Sequence, residues 1–187
     1  MSTLKVDSII PTAGVASGGG GGIVQVVQKI KTNAFAASIG SSGTVPTGMF
    51  QTLTTKTDTS KVLVLVNMTL LVSPSYNGSG WSLMRNSGAD NVSGGTEIFI
   101  GDADGSRDRR TMGMQGPTSS TSALNGFSCG TQFLDTPGSA GAYTYFVKFF
   151  DTVSSDNFFY LNRGFNDSDN SEQPRSTSSI TLIEVSA

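Results

Sequence analysis

Lys61-Val62-Leu63-Val64-Leu65-Val66-Asn67-Met68-Thr69-Leu70-Leu71-Val72 is the stretch on which the fold turns. Its apolar residues are nearly continuous and it ends at the turn cluster Ser73-Pro74-Ser75. A strand this apolar is expected to be covered on both faces. Upstream, Ile23 to Ile30 is β-branched, and Met49 to Thr55 alternates around Phe50 and Leu53. Downstream, strands are expected over 80–85, 96–100, 109–115, 124–134, 142–150, 157–163 and 179–186. Turn clusters such as Asn86-Ser87-Gly88 and Thr136-Pro137-Gly138 separate them. No window carries apolar residues at i, i+3, i+4 and i+7, so little or no helix is expected. About nine or ten short strands at regular spacing argue for an all-β fold, an antiparallel β-sandwich of the jelly-roll kind.

Two of these strands are apolar on both sides. Tyr143, Tyr145, Val147 and Phe149 alternate with Phe146 and Phe150, while Ile180 and Leu182 face away from Ile183 and Val185. An isolated sandwich needs one apolar face per strand, so the surplus points to a second buried surface. A homotrimer interface built on Tyr143, Tyr145, Phe149, Ile183 and Val185 is the expectation. The alternative is a chance excess of exposed aromatics.

The beginning of the chain has another character. Leu4-Lys5-Val6-Asp7-Ser8-Ile9-Ile10 is strand-like and stops at Pro11, and the run Gly18, Gly19, Gly20, Gly21, Gly22 has the freedom of a hinge. Residues 1–22 are therefore expected to form an arm and residues 23–187 a head domain. Ordering the arm costs roughly 20–40 kcal/mol of backbone entropy. Burial of Leu4, Val6, Ile9, Ile10 and Val15 returns about 8–15 kcal/mol, and strand addition to a partner's sheet edge supplies much of the remainder. Docking on another protein is one reading of the arm; a disordered tail is the other.

Of the 187 residues only 14 % are charged, with Ser, Thr and 23 glycines in their place, and the formal net charge is −2. The one basic cluster, Arg107, Arg109 and Arg110, is interleaved with Asp102, Asp104 and Asp108. Nucleic-acid binding, which needs an uninterrupted basic stripe, is not expected. Nor is membrane insertion, which needs about 18 consecutive apolar residues. With a single cysteine, Cys129, and no signal-peptide pattern after Met1, the expectation is folding in a reducing compartment without export.

Chemistry is sparse. The sequence contains no histidine, which removes Ser-His-Asp and Cys-His arrangements and histidine metal sites. Cys129 sits in a strand-like segment and reads as a buried structural thiol. The loop Asp102-Ala103-Asp104-Gly105-Ser106-Arg107-Asp108 hints at calcium ligation, but the twelfth-position glutamate is missing and Arg107 intrudes. Asp167 and Asp169 share a polar loop. Paired carboxylates suit glycan hydrolysis only across a cleft, about 5–9.5 Å apart. The expectation is a non-enzymatic protein with no cofactor and no metal site.

The arm, the glycine run and the strand Ile23-Val24-Gln25-Val26-Val27-Gln28 together resemble tail-fibre and other virion-surface proteins of marine tailed phages, especially cyanophages. Ser82-Leu83-Met84-Arg85-Asn86, Ile98-Phe99-Ile100-Gly101-Asp102, Gly105-Ser106-Arg107 and the closing Ser179-Ile180-Thr181-Leu182-Ile183-Glu184-Val185 are similar to segments of the same proteins. The resemblance implies a homotrimeric head similar to the tumour-necrosis-factor fold and an N-terminus that binds a capsid or tail protein. It implies a place on the virion surface after assembly in the host cytoplasm. The chain departs from long fibres in lacking a shaft. Two functions follow as expectations: a short tail or head fibre touching a host-surface glycan or protein through Tyr76, Phe158 and Tyr160, or a capsid decoration (cement) protein stabilising the shell.

Overall fold

The computed structural model describes residues 22–73, 78–116, 126–152, 157–169 and 171–186. Leu4, Val6, Ile9, Ile10, Val15, Gly18, Gly19, Gly20, Gly21 and Tyr76 lie outside the described residues. Within them the chain forms eleven strands and no helix: β1 (Ile23–Lys31), β2 (Phe35–Ile39), β3 (Phe50–Thr55), β4 (Lys61–Val72), β5 (Ser79–Ser87), β6 (Thr96–Ile98), β7 (Met112–Met114), β8 (Phe127–Asp135), β9 (Gly141–Asp151), β10 (Asn157–Leu161) and β11 (Ser178–Val185). They make two antiparallel sheets that enclose one core, the expected β-sandwich.

β4 is the spine of sheet A. It pairs with β8 along Val62–Leu70, and on its other side first with β11 along Lys61–Asn67 and then with β10 along Leu70–Val72. β10 and β11 are therefore two halves of one row, interrupted by residues 162–177. β1 and β2 lie beyond them, paired with β11 and β10, as two halves of an edge row. In sheet B, β9 runs between β3 and β5, and β7 and β6 share the far side of β5. With the split strands counted as single rows in chain order, sheet A reads first, eighth, third, sixth, and sheet B second, seventh, fourth, fifth.

The period-2 pattern places the core. Val62, Val64, Val66, Met68, Leu70 and Val72 of β4 all point inward and are at most 4 % exposed. Each such side chain is worth about 1.5–3 kcal/mol on burial. Trp81, Tyr145 and Phe149 of sheet B meet them, and the Phe149 ring stacks on Phe159 of the opposite sheet at 4.8 Å between centroids. Among the described residues the expected cover on both faces of β4 is found only at one end. Leu71 is buried with Tyr160 beneath Phe165, whereas Leu63 and Leu65 stay partly exposed.

The doubly apolar β9 corrects the expected interface. Tyr143, Tyr145 and Phe149 are core residues between the two sheets, so they are not free for a trimer contact. The outward Phe146 and Phe150 are also buried, at 0 % and 6 % exposure, by the chain's own loops. A Cβ on Gly95, whose φ is +88°, would lie 3.1 Å from the Phe146 ring and 2.9 Å from the Arg85 carbonyl, so glycine backbone itself forms that lid. Over Phe150 lies the Arg110 guanidinium, 4.1 Å from the ring centroid. The second buried surface exists, but it is intramolecular. β2 was not expected either: Phe35-Ala36-Ala37-Ser38-Ile39 has too few β-branched residues to announce a strand, and its pairing with β10 makes it one.

Two polar devices fix this arrangement. Asn162 (φ +61°) sits at the break between β10 and β11 and is fully buried. Its amide donates to the carbonyls of Lys31 (2.9 Å) and Asn33 (3.2 Å), while its carbonyl accepts from the Ser178 hydroxyl at 2.6 Å. One side chain thus sutures the breaks in both split rows. Between the sheets, Asp135 at the end of β8 accepts from Arg85 of β5 (2.7 Å) and from the Tyr145 hydroxyl of β9 (2.8 Å) through the same oxygen.

Candidate functional site

The strand directions divide the sandwich into two ends. At one end Gly22 and Ser186 are joined, the Gly22 amide donating to the Ser186 hydroxyl (2.9 Å) and the Ser186 amide to the Gly22 carbonyl (3.0 Å). Gly22, expected in the hinge, is thereby tied to the last strand, and any hinge lies before it. The connections 56–60, 88–95 and 136–140 join strands at this same end. The connection 40–49 and the strand ends Val72, Ser79, Met114, Phe127, Asp151 and Asn157 lie at the other.

Of the expected contact residues, Phe158 is 41 % exposed, on the outer face of sheet A close to the second end, and it stacks on Tyr160 at 6.0 Å. Tyr160 is only 7 % exposed, so its expected contact role is corrected. It packs edge-on against Phe165 (5.6 Å) with the Arg163 guanidinium 5.1 Å above the ring. Asp167, considered as a metal or hydrolytic carboxylate, is shared between Arg163 (3.0 Å) and Arg175 (2.5 Å). These residues and the 32–36 turn border an open cleft of about 470 Å³.

A larger cleft of about 810 Å³ lies beside the loop between β6 and β7. The loop is tied down at its base: Arg110 reaches Glu97 at 3.3 Å, Glu97 accepts from the Ser82 hydroxyl at 2.8 Å, and Thr111 accepts from the Leu83 amide at 2.9 Å. Its tip is exposed and neutralises itself. Asp104 pairs with Arg107, Asp108 lies 3.8 Å from Arg110, and Arg109 donates to the Gly101 carbonyl at 2.7 Å. Among the described residues no group of three or more acidic or sulfur side chains is close enough to hold a metal ion. The cleft offers paired donors and acceptors, which suit neutral hydroxyl-rich molecules better than ions.

The most distinctive surface is the outer face of sheet A. Direct register partners run Val26, Ile183, Leu63, Leu134 across all four rows. Val26 is 55 % and Leu134 48 % exposed, and Ile23 and Ile30 flank the stripe at 69 % and 60 %. Ile183 and Val185, expected at an interface, stand on this face. Leu63 belongs to the strand expected to be covered on both faces; Val26 and Leu134 escaped the sequence reading, although the two-sided Ile23–Ile30 segment carried the same signal as β9.

Cys129 and Glu184 are two of the buried titratable groups. Burial pushes the Cys129 thiol up to about 11, against a smaller pull from the Trp81 indole, so it is a protonated packing residue. Glu184 lies where the chain crosses from β3 to β4. Burial alone pushes its carboxyl up, but the Lys56 amide (2.6 Å), the Ser60 hydroxyl (2.6 Å) and the Gln25 amide (2.5 Å) outweigh that and hold it below the ordinary carboxylate range. A carboxylate depressed in the folded state contributes stability that is complete above its unfolded pKa and vanishes as pH falls through the lower folded value. Thermal melts across acidic pH are expected to show this decline in the native protein and a flatter profile in Glu184→Gln. Identical slopes would place the acid sensitivity elsewhere.

No protein-family model matches this chain, and no curated protein matches its sequence.

Proposed function

We propose that the chain is a structural protein of the virion surface of a tailed phage. Residues 1–22 anchor it to a capsid or tail protein, and a homotrimeric head is displayed, as in a short tail or head fibre. One geometric observation carries this reading: Gly22, from which the arm departs, lies at the end of the sandwich opposite the connection 40–49 and the strand ends Val72, Ser79, Met114, Phe127, Asp151 and Asn157. A particle bound through the arm would leave that end facing outward. The row order first, eighth, third, sixth against second, seventh, fourth, fifth is that of two interlocked Greek keys. It supports a jelly roll, an architecture recurrent in capsid and lectin domains. The exposed Phe158 near the outward end favours host contact over capsid decoration, because aromatic faces stack on sugar rings and trimeric display multiplies weak affinity. The site performs no bond chemistry in this reading; it positions and adheres.

Attachment to virions stripped of this protein tests it. Full-length chain is expected to bind, and chain lacking residues 1–21 to lose at least 90 % of that binding while keeping its oligomeric mass. Equal attachment of the two would overturn the anchor. Retained attachment with no host-cell binding by the free head would favour the decoration role.

A further inference from the structure

We infer that the outer face of sheet A is the surface through which copies of this chain join, and this rests on the homotrimer reading above. The argument starts from β4. Its sequence demands cover on both faces, yet among the described residues the outer one is covered only around Leu71, beneath Phe165. Sheet B has no such deficit, since its outward Phe146 and Phe150 are already beneath loops. The uncovered part is continuous, running from Val26 through Ile183 and Leu63 to Leu134.

Three features select a second copy as the occupant. First, the face is neutral: Lys61, at its margin, is the only charged side chain among its described outward positions. Placing it against another copy buries no like charges, and depletion of charge is what separates interface cores from ordinary surface. Between the apolar positions stand amides and hydroxyls, such as Gln28 bonded to Thr181 at 2.8 Å, which can both donate to and accept from a neighbouring copy. Second, the size is right. Four rows at about 4.8 Å and four outward residues per row at about 6.8 Å span roughly 500 Å² in projection. Side-chain relief brings that toward the about 800 Å² that each partner contributes to a standard interface. Third, residues 1–21 leave the head from Gly22, next to the exposed Ile23 on this face. Copies joined here deliver their arms side by side, as a common anchor requires.

The test is the solution mass of the full chain by light scattering after size-exclusion chromatography, with Val26→Asp/Leu134→Asp as the probe. Both residues are already about half exposed in the single chain, so the substitutions leave its fold intact, checked by an unchanged far-ultraviolet circular dichroism spectrum. Native protein is expected at three chain masses and the double variant at one, a threefold fall. Phe158→Asp, on the same sheet but in β10 beyond the stripe from Val26 to Leu134, is expected to remain at three. A native protein of one chain mass would overturn the homotrimer reading and this surface with it. A double variant that stays at three would overturn the surface alone. If native chain is monomeric but associates once residues 1–21 are removed, the arm is the cover and the assignment to a second copy fails.

Discussion

Asn162→Ala is expected to lower the unfolding free energy by about 3 kcal/mol, measured by denaturant titration at fixed protein concentration. The substitution removes a side chain that is fully buried and makes three hydrogen bonds. A buried polar group left without its partner costs about 1–3 kcal/mol, and the carbonyls of Lys31 and Asn33 and the Ser178 hydroxyl all lose one. The backbone adds to this, because φ at Asn162 is +61° and a Cβ-bearing residue without a local hydrogen bond pays roughly 1–2 kcal/mol there. Asn162→Gly separates the two effects: it relieves the backbone but not the lost bonds, so it should recover about 1 kcal/mol relative to alanine. A loss below 1 kcal/mol in the alanine variant would mean that the two split rows hold their register without this suture.

The second large effect is at Asp135. Asp135→Ala is expected to cost about 2–4 kcal/mol, because it strands the Arg85 guanidinium and the Tyr145 hydroxyl, both of which donate to one carboxylate oxygen. Removing one partner of a fully buried ion pair costs about 3–5 kcal/mol. The figure is discounted here because the Arg85 side chain is 23 % exposed and keeps some water. Tyr145→Phe removes a single bond and should cost about 1 kcal/mol. This ordering, alanine at 135 well above phenylalanine at 145, identifies the carboxylate as the joint between sheets. Equal effects would leave Asp135 no special place.

The strands could be read from the sequence because period 2 is local. Val62, Val64, Val66, Met68 and Leu70 declare an inward face by themselves. What covers the opposite side of a strand is not local, and that is where the reading strayed. On β9 the lid over Phe146 is glycine backbone at Gly95, and over Phe150 it is the stem and guanidinium of Arg110. Neither is apolar, so nothing in hydropathy could announce a lid; arginine covers apolar surface with its methylenes while its head stays polar. Tyr143, Tyr145 and Phe149 were accordingly sent outward to a partner when they belong inside. The reverse happened at β1, where Val26 and Ile30 carried the two-sided pattern and were passed over. Asn162 was invisible for a further reason: its bonds reach Lys31 and Asn33 across the sheet, and no spacing along the chain encodes them.

The tie between Gly22 and Ser186 has a mechanical consequence. A pull between the far strand ends and residue 22 runs along the strand axes, not across them. β1 is held to β11 by antiparallel pairing from Ile23 to Lys31, and a load in that direction shears the pairs together. They would fail collectively, at high force, where a strand peeled from its edge gives way one hydrogen bond at a time. On the anchoring reading proposed above, tension on such a tether would meet the sandwich in its strongest direction.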